Sequence, residues 1–257
     1  WHLGHTTWFF ETFLLQPNDP GYETFDPQFN FLFNSYYETV GPRQVRTERG
    51  LITRPALDEV LAYRDYIDAR MEDFFWSADS DQIKELCWLI ELGLHHEQQH
   101  QELALMDIKH VLSCNPFEPG YRKKEPAEVY SAHDLQWFRV PGGVYRIGHD
   151  DHNSFAFDNE APAHDVVLPS FSIASRCVTN AEFLEFIEDD GYARPEFWHS
   201  DGMAQVEADG WQAPLYWRKD ESGDWAEFTY SGLCPIYYDA LACHLSFYEA
   251  AAYAAWA

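Results

Sequence analysis

From Ser80 or Asp81 the sequence keeps a helical period for about 30 residues, and no other stretch constrains the fold as much. Leu89, Leu92, His96, His100, Leu103 and Asp107 fall on one face of this run. They recur at the three- and four-residue steps that align side chains along a helix. A helix of that size is about 45 Å long, so its apolar stripe needs other helices to cover it. Residues 1–16 carry apolar side chains at the same spacing and stop at the breaker cluster Pro17-Asn18-Asp19-Pro20-Gly21. A further helix is expected from Arg54-Pro55, with proline in the first turn, through Val60, Tyr63, Ile67 and Met71. The segment from Tyr22 to Gly41, rich in Phe, Asn and Tyr, reads as an irregular excursion between helices. Three long helices imply an up-and-down bundle.

The pattern changes after residue 113. Residues 114–136 lose periodicity and carry Pro, Gly and mixed charge, which reads as a linker. Trp137 to Gly148 alternates like paired strands around Pro141-Gly142-Gly143, and Ala163 to Ile173 is strand-like again. Thr179-Asn180-Ala181-Glu182 and Ser246-Phe247-Tyr248-Glu249 are capping boxes that open helices. The expected fold class is therefore α+β in two domains. Residues 1–113 form a metal-binding helical bundle, 114–136 a linker, and 137–257 an α+β domain. The chain opens at Trp1 and stops at Ala257 inside helical patterns, so sequence is expected to be missing at both ends.

Lys and Arg total 17 against 43 Asp and Glu, a formal net charge of -26. Such a surface repels phosphate backbones and anionic lipid, which argues against nucleic-acid and membrane partners. No apolar run approaches the roughly 20 residues that span a bilayer, and no signal peptide is visible. Cys87, Cys114, Cys177, Cys234 and Cys243 are scattered without a C-x-x-C, the pattern of reduced cytoplasmic thiols.

The chemistry concentrates on the long helix. His96-Glu97-Gln98-Gln99-His100 fits H-E-x-x-H, and its two imidazoles leave one helix face about one turn apart, as a metal ion requires. A third ligand is available from His2 or His5, which share roughly one face, so periodicity does not choose between them. Three neutral imidazoles without a thiolate suit iron, zinc, copper or nickel. Tyr36 and Tyr37 place two phenols in the aromatic segment, and a phenol can donate a proton during oxygen chemistry. Arg43, Arg46 and Arg49 cluster in an acidic chain, suited either to fork-like carboxylate binding or to internal salt bridges.

Three stretches in this order, Trp1 to Glu11, Phe33-Asn34-Ser35-Tyr36-Tyr37 and His95 to His100, resemble the DinB-type helical domain of the ergothioneine-biosynthetic sulfoxide synthases. Val140-Pro141-Gly142-Gly143, Phe157-Asp158-Asn159-Glu160, Val178 to Phe183 and Ser246 to Ala250 resemble the formylglycine-generating-enzyme-type, C-type-lectin-like domain fused to it in that family. The resemblance implies a non-heme Fe(II) enzyme that uses O2. It would join the sulfur of cysteine or γ-glutamylcysteine to the imidazole C2 of Nα-trimethylhistidine, leaving a sulfoxide. It places the iron ligands on His5, His96 and His100, and Gln99 beside the histidine-derived substrate. Arg43 and Arg46 fall where the family binds the thiol substrate's carboxylate, and Tyr36 or Tyr37 where one subgroup keeps its proton donor. A DinB-type thiol transferase or hydrolase, using the same histidines without O2, is the alternative.

Overall fold

The computed structural model describes residues 1–35, 40–123, 131–151 and 154–257. The chain divides into two compact units, Trp1–Met106 with Ile147–His164, and Asp107–Arg146 with Asp165–Ala257.

The first unit opens with α1 (His2–Phe10), which runs through a π-helical turn, Glu11–Leu15, into the short α2 (Gln16–Asn18). Glu11 lies at the start of that turn and is 2% exposed. Its carboxylate accepts hydrogen bonds from the phenols of Tyr22 and Tyr63 and, at 3.2 Å, from the Phe25 N–H. A buried carboxylate survives only when its lone pairs are filled in this way. Burial, reinforced by Glu11, raises the pKa of both phenols, so they remain donors.

The aromatic segment that reads as irregular contains a helix, α3 (Pro27–Phe33). Asp26 caps it by accepting the Gln28 N–H at 2.9 Å, and Pro27 occupies the first turn. The next helix, α4 (Leu57–Ser77), begins two residues after Pro55, where Glu59 reaches back to the Ala56 N–H at 2.7 Å. Its buried stripe of Val60, Tyr63, Ile67, Met71 and Phe74 meets Trp8, Leu14, Leu15, Phe29 and Phe33 in one core. Each large apolar side chain so buried contributes about 1.5–3 kcal/mol, against about 0–1 for a surface ion pair. This cluster therefore holds the unit together. The long helix is α5 (Ser80–Ser113), 34 residues. At Gly93 it approaches α1 so closely that a Cβ would lie 2.7 Å from the Phe10 ring.

In the second half the strands pair differently from the sequence expectation. β1 (Trp137–Val140) does not fold back on β2 (Gly143–Ile147) about Pro141-Gly142-Gly143. It pairs antiparallel with β4 (Phe171–Ala174), Trp137 opposite Ala174, while β2 pairs with β3 (His164–Leu168). The physical reason lies at the two breaks. Pro141 and Pro169 both lack an N–H for the ladder, and Gly142 lets the chains pass closely, a Cβ there meeting the Ser170 nitrogen at 3.0 Å.

Three helices follow in two groups, α6 (Asn180–Glu188) and α7 (Ser200–Asp209), then the meander β5 (Trp217–Lys219), β6 (Trp225–Thr229) and β7 (Gly232–Pro235), then α8 (Phe247–Trp256). Phe183, Phe186, Tyr192, Trp198, Val206 and Ala252 form a core among these helices. Both capping boxes form as expected. The Glu182 carboxylate accepts the Thr179 N–H at 2.8 Å, and Glu249 accepts the Ser246 N–H at 2.6 Å and the Tyr192 phenol at 2.6 Å. Among the described residues no helix is long and apolar enough to cross a membrane.

Glu182 also receives both terminal nitrogens of Arg176 at 2.8 Å. That fork, with the cap bonds, holds its carboxyl down to about 2. A depressed carboxylate stabilises the fold above its ordinary unfolded pKa and loses that contribution as pH falls through the folded value. Arg176→Met is therefore expected to lower the urea midpoint at pH 7, and the gap to the parent to narrow between about pH 4.5 and 2. A gap independent of pH would show that the ion pair is not its cause.

Candidate metal centre

The face of α5 that carries His96 and His100 is met by α1, which carries His5. One ring nitrogen from each of the three histidines lies within 4.8 Å of the others. Their ring centroids are 4.9 Å (His5–His96), 4.7 Å (His5–His100) and 4.6 Å (His96–His100) apart. The i, i+4 step on one helix supplies two of the rings and helix packing the third.

His5 is 1% exposed and its orientation is fully specified. Its ring lies between two indoles, Trp1 at 4.6 Å and 16° and Trp8 at 5.5 Å and 15°. Its Nδ1 is 2.6 Å from the Phe33 carbonyl oxygen, which can only accept, so Nδ1 carries the proton and Nε2 keeps its lone pair. Such an outer partner is what fixes the tautomer of a metal-binding histidine. Gly4 permits this approach, since a Cβ there would lie 2.3 Å from the Phe33 ring. His100 has a comparable partner: its Nδ1 is 2.9 Å from Nδ1 of His2. With its proton on Nδ1, His100 donates to His2 and keeps its lone pair on Nε2. His96 differs, because among the described residues its buried Nδ1 has no hydrogen-bond partner.

The electrostatics favour neutral rings. Burial pushes the His5 imidazole down to about 3, and the charges of His96, His100 and Arg49 act in the same direction, against the Phe33 hydrogen bond. Burial lowers His96 as well. Neutral imidazoles are the form that binds a metal. Three converging imidazoles, one of them with an orphaned buried ring nitrogen, fit a borderline transition-metal ion.

The other residues singled out from the sequence are distributed as follows. Gln99 is exposed on α5, one position before His100. Arg43 is exposed and donates to the Ser35 carbonyl at 2.8 Å, and Arg46 opens the 3-10 turn Arg46–Leu51. Tyr36 and Tyr37 lie outside the described residues. His95 stacks on Phe155 at 4.1 Å. Glu97, the base position of a zinc-protease motif, is ion-paired with Arg64 at 2.7 Å. Sequence reasoning missed Trp1 and Trp8 as walls around His5, the Phe33 carbonyl, and Arg64. Only the His2/His5 pairing on one face hinted that His2 also lies close.

A second donor group, Glu227, Cys243 and His244, also converges within 4.8 Å. There the Lys109 ammonium lies 2.8 Å from His244 Nε2 and 3.7 Å from Glu227, with the Tyr216 ring 4.6 Å away. The lysine takes the place a cation would occupy.

Residues 123–257 match the model of the sulfatase-modifying factor enzyme 1-like domain. A hercynine oxygenase of Mycolicibacterium smegmatis is 43% identical over 119 residues, 46% of this chain and 27% of that protein. A hercynine oxygenase of Mycolicibacterium thermoresistibile is 31% identical over 263 residues, covering 100% of this chain and 54% of its own length. A formylglycine-generating enzyme of Thermomonospora curvata is 38% identical over 53 residues, 21% of this chain and 18% of that protein. The chain spans about half the length of the hercynine oxygenases that it matches from end to end.

Proposed function

Because this chain belongs to the sulfatase-modifying factor enzyme 1-like family and is similar to hercynine oxygenases along its whole length, we propose that it is an oxygenase of ergothioneine biosynthesis. The convergence of His5, His96 and His100 carries this reading. These three residues would hold Fe(II), which when bound would supply a redox-active Lewis acid. In this reading residues 1–113 provide the metal, 114–136 connect, and 137–257 form the family's α+β domain.

The substrates are a thiol, cysteine or γ-glutamylcysteine, together with Nα-trimethylhistidine and O2. The reaction joins sulfur to the imidazole C2. The thiol hydrogen and the C2 hydrogen leave in water with one oxygen atom, and the other oxygen atom stays on sulfur as the sulfoxide. His5 keeps its Nδ1 proton on the Phe33 carbonyl, which leaves its lone pair on Nε2, and His2 braces the His100 ring at Nδ1. Arg43 and Arg46 receive the thiol substrate's carboxylate, and Gln99 orients the histidine-derived substrate. The phenol oxygen of Tyr36 or Tyr37 gives up a proton during sulfoxide formation.

Anaerobically Fe(II)-reconstituted protein, given both substrates and air, should yield a sulfoxide conjugate by mass spectrometry. Absence of product with one equivalent of iron bound would overturn the reading. Turnover of a thiol substrate without oxygen uptake and without sulfoxide would favour a transferase or hydrolase instead. Tyr36→Phe and Tyr37→Phe should keep iron affinity. At least one of them should slow sulfoxide formation by about 10²–10⁴-fold or divert the thiol to sulfinate. Unchanged rate and product ratio in both variants would place the proton donor elsewhere.

A further inference from the structure

We propose that Arg64 is a positioning residue that fixes His96 against His5, an inference that rests on the metal-centre reading. The argument starts from the unequal support of the three imidazoles. His5 is held by the Phe33 carbonyl and two indoles, and His100 by His2. Among the described residues His96 has no hydrogen-bond partner on Nδ1, and its ring rests on Phe9 at 5.0 Å. Its position therefore depends on the register of α5 against α1.

Arg64, on α4, reaches the residues that follow two of the three ligands, His5 and His96. Its Nη1 is 2.7 Å from Glu97, the residue after His96, and donates at 3.3 Å to Thr6 Oγ1, the residue after His5. Asp68, one turn further along α4, lies 3.6 Å from Arg64 Nε and aims the guanidinium from behind. A single guanidinium nitrogen thus ties the two ligand-bearing helices beside His5 and His96. Thr6 is 3% exposed, and the Arg64 and Glu97 side chains are 28% and 23% exposed. Arg64 and Glu97 also line a cavity of about 410 Å³ with Phe10, Asp68 and Met71. Water can reach the pair there, so removing the fork does not strand a charge in a dry core. Loss of the outer groups that orient metal ligands typically costs 10–100-fold in affinity.

The test uses Co(II), whose d–d absorption reports ligand number and geometry, on the full chain. Arg64→Met keeps the stem and removes the fork, and Glu97→Gln is nearly isosteric, so a folded variant is available even if one fails. Both should weaken Co(II) binding by about tenfold and alter the d–d spectrum, and the double variant should lose little more than either alone. Arg64→Lys keeps the charge on Glu97 and should recover part of the affinity. Variants that only lower the metal-free melting temperature, with Co(II) affinity within twofold of the parent and an unchanged spectrum, would show a merely structural ion pair and overturn the proposal. A parent chain that binds no Co(II) would overturn the metal centre itself, and the clamp with it.

Discussion

Alanine at His96 or His100 is expected to abolish metal binding while the helical unit stays folded. Removing an outer-sphere partner already costs 10–100-fold in metal affinity, so losing one of three imidazoles should exceed about 100-fold. Neither ring belongs to the apolar core of Trp8, Tyr63 and Phe74, and α5 runs 34 residues, so far-ultraviolet circular dichroism should be unchanged. His95→Ala removes only a stacking contact with Phe155 and should bind normally. His2→Ala should fall between, at about a tenfold loss, because His2 faces His100 Nδ1. Anaerobic metal analysis of the four variants decides the matter. Equal occupancy in His95→Ala, His96→Ala and His100→Ala would remove the basis of the assignment.

The largest effect on stability should come from Glu11→Ala. This change leaves the phenols of Tyr22 and Tyr63 and the Phe25 N–H without their shared acceptor, in a region where Tyr63 is 0% exposed. Each buried donor left unmatched costs about 1–3 kcal/mol, and Tyr22, being partly exposed, recovers some of its loss from water. The sum is about 3–5 kcal/mol, in the range of breaking a buried polar network. Glu11→Gln retains one acceptor and should lose about half as much. Urea unfolding at pH 7 measures both. A loss under about 1 kcal/mol for Glu11→Ala would mean that the phenols find other partners.

These contrasts show which features were legible in the sequence. The capping boxes at Thr179–Glu182 and Ser246–Glu249 were, because a cap is a contract between residues three apart. The helix of His96 and His100 was legible for the same local reason. α3 was hidden by its Phe- and Asn-rich composition, although Asp26-Pro27 marked its start. The pairing of β1 with β4 was not legible, since alternation shows which faces a strand has but not which strand lies beside it. Most of the support around the candidate centre was equally silent. Phe33 offers a backbone carbonyl, which any residue possesses, and Arg64 joins Thr6 to Glu97 across three helices. The sequence contains no periodicity that links positions 6, 64 and 97.

The imidazole held between Trp1 and Trp8 has a consequence for how the centre would fill. A ring stacked on two indoles and tied at one nitrogen cannot turn over about its Cβ–Cγ bond. One nitrogen therefore faces the other two histidines before any ion arrives. The entropy of ordering that ligand is spent when the chain folds, not when the metal binds, which is the condition for preorganised recognition. An ion entering the site would then meet one fixed donor and two on a rigid helix, and capture would be governed by how fast it sheds its own water.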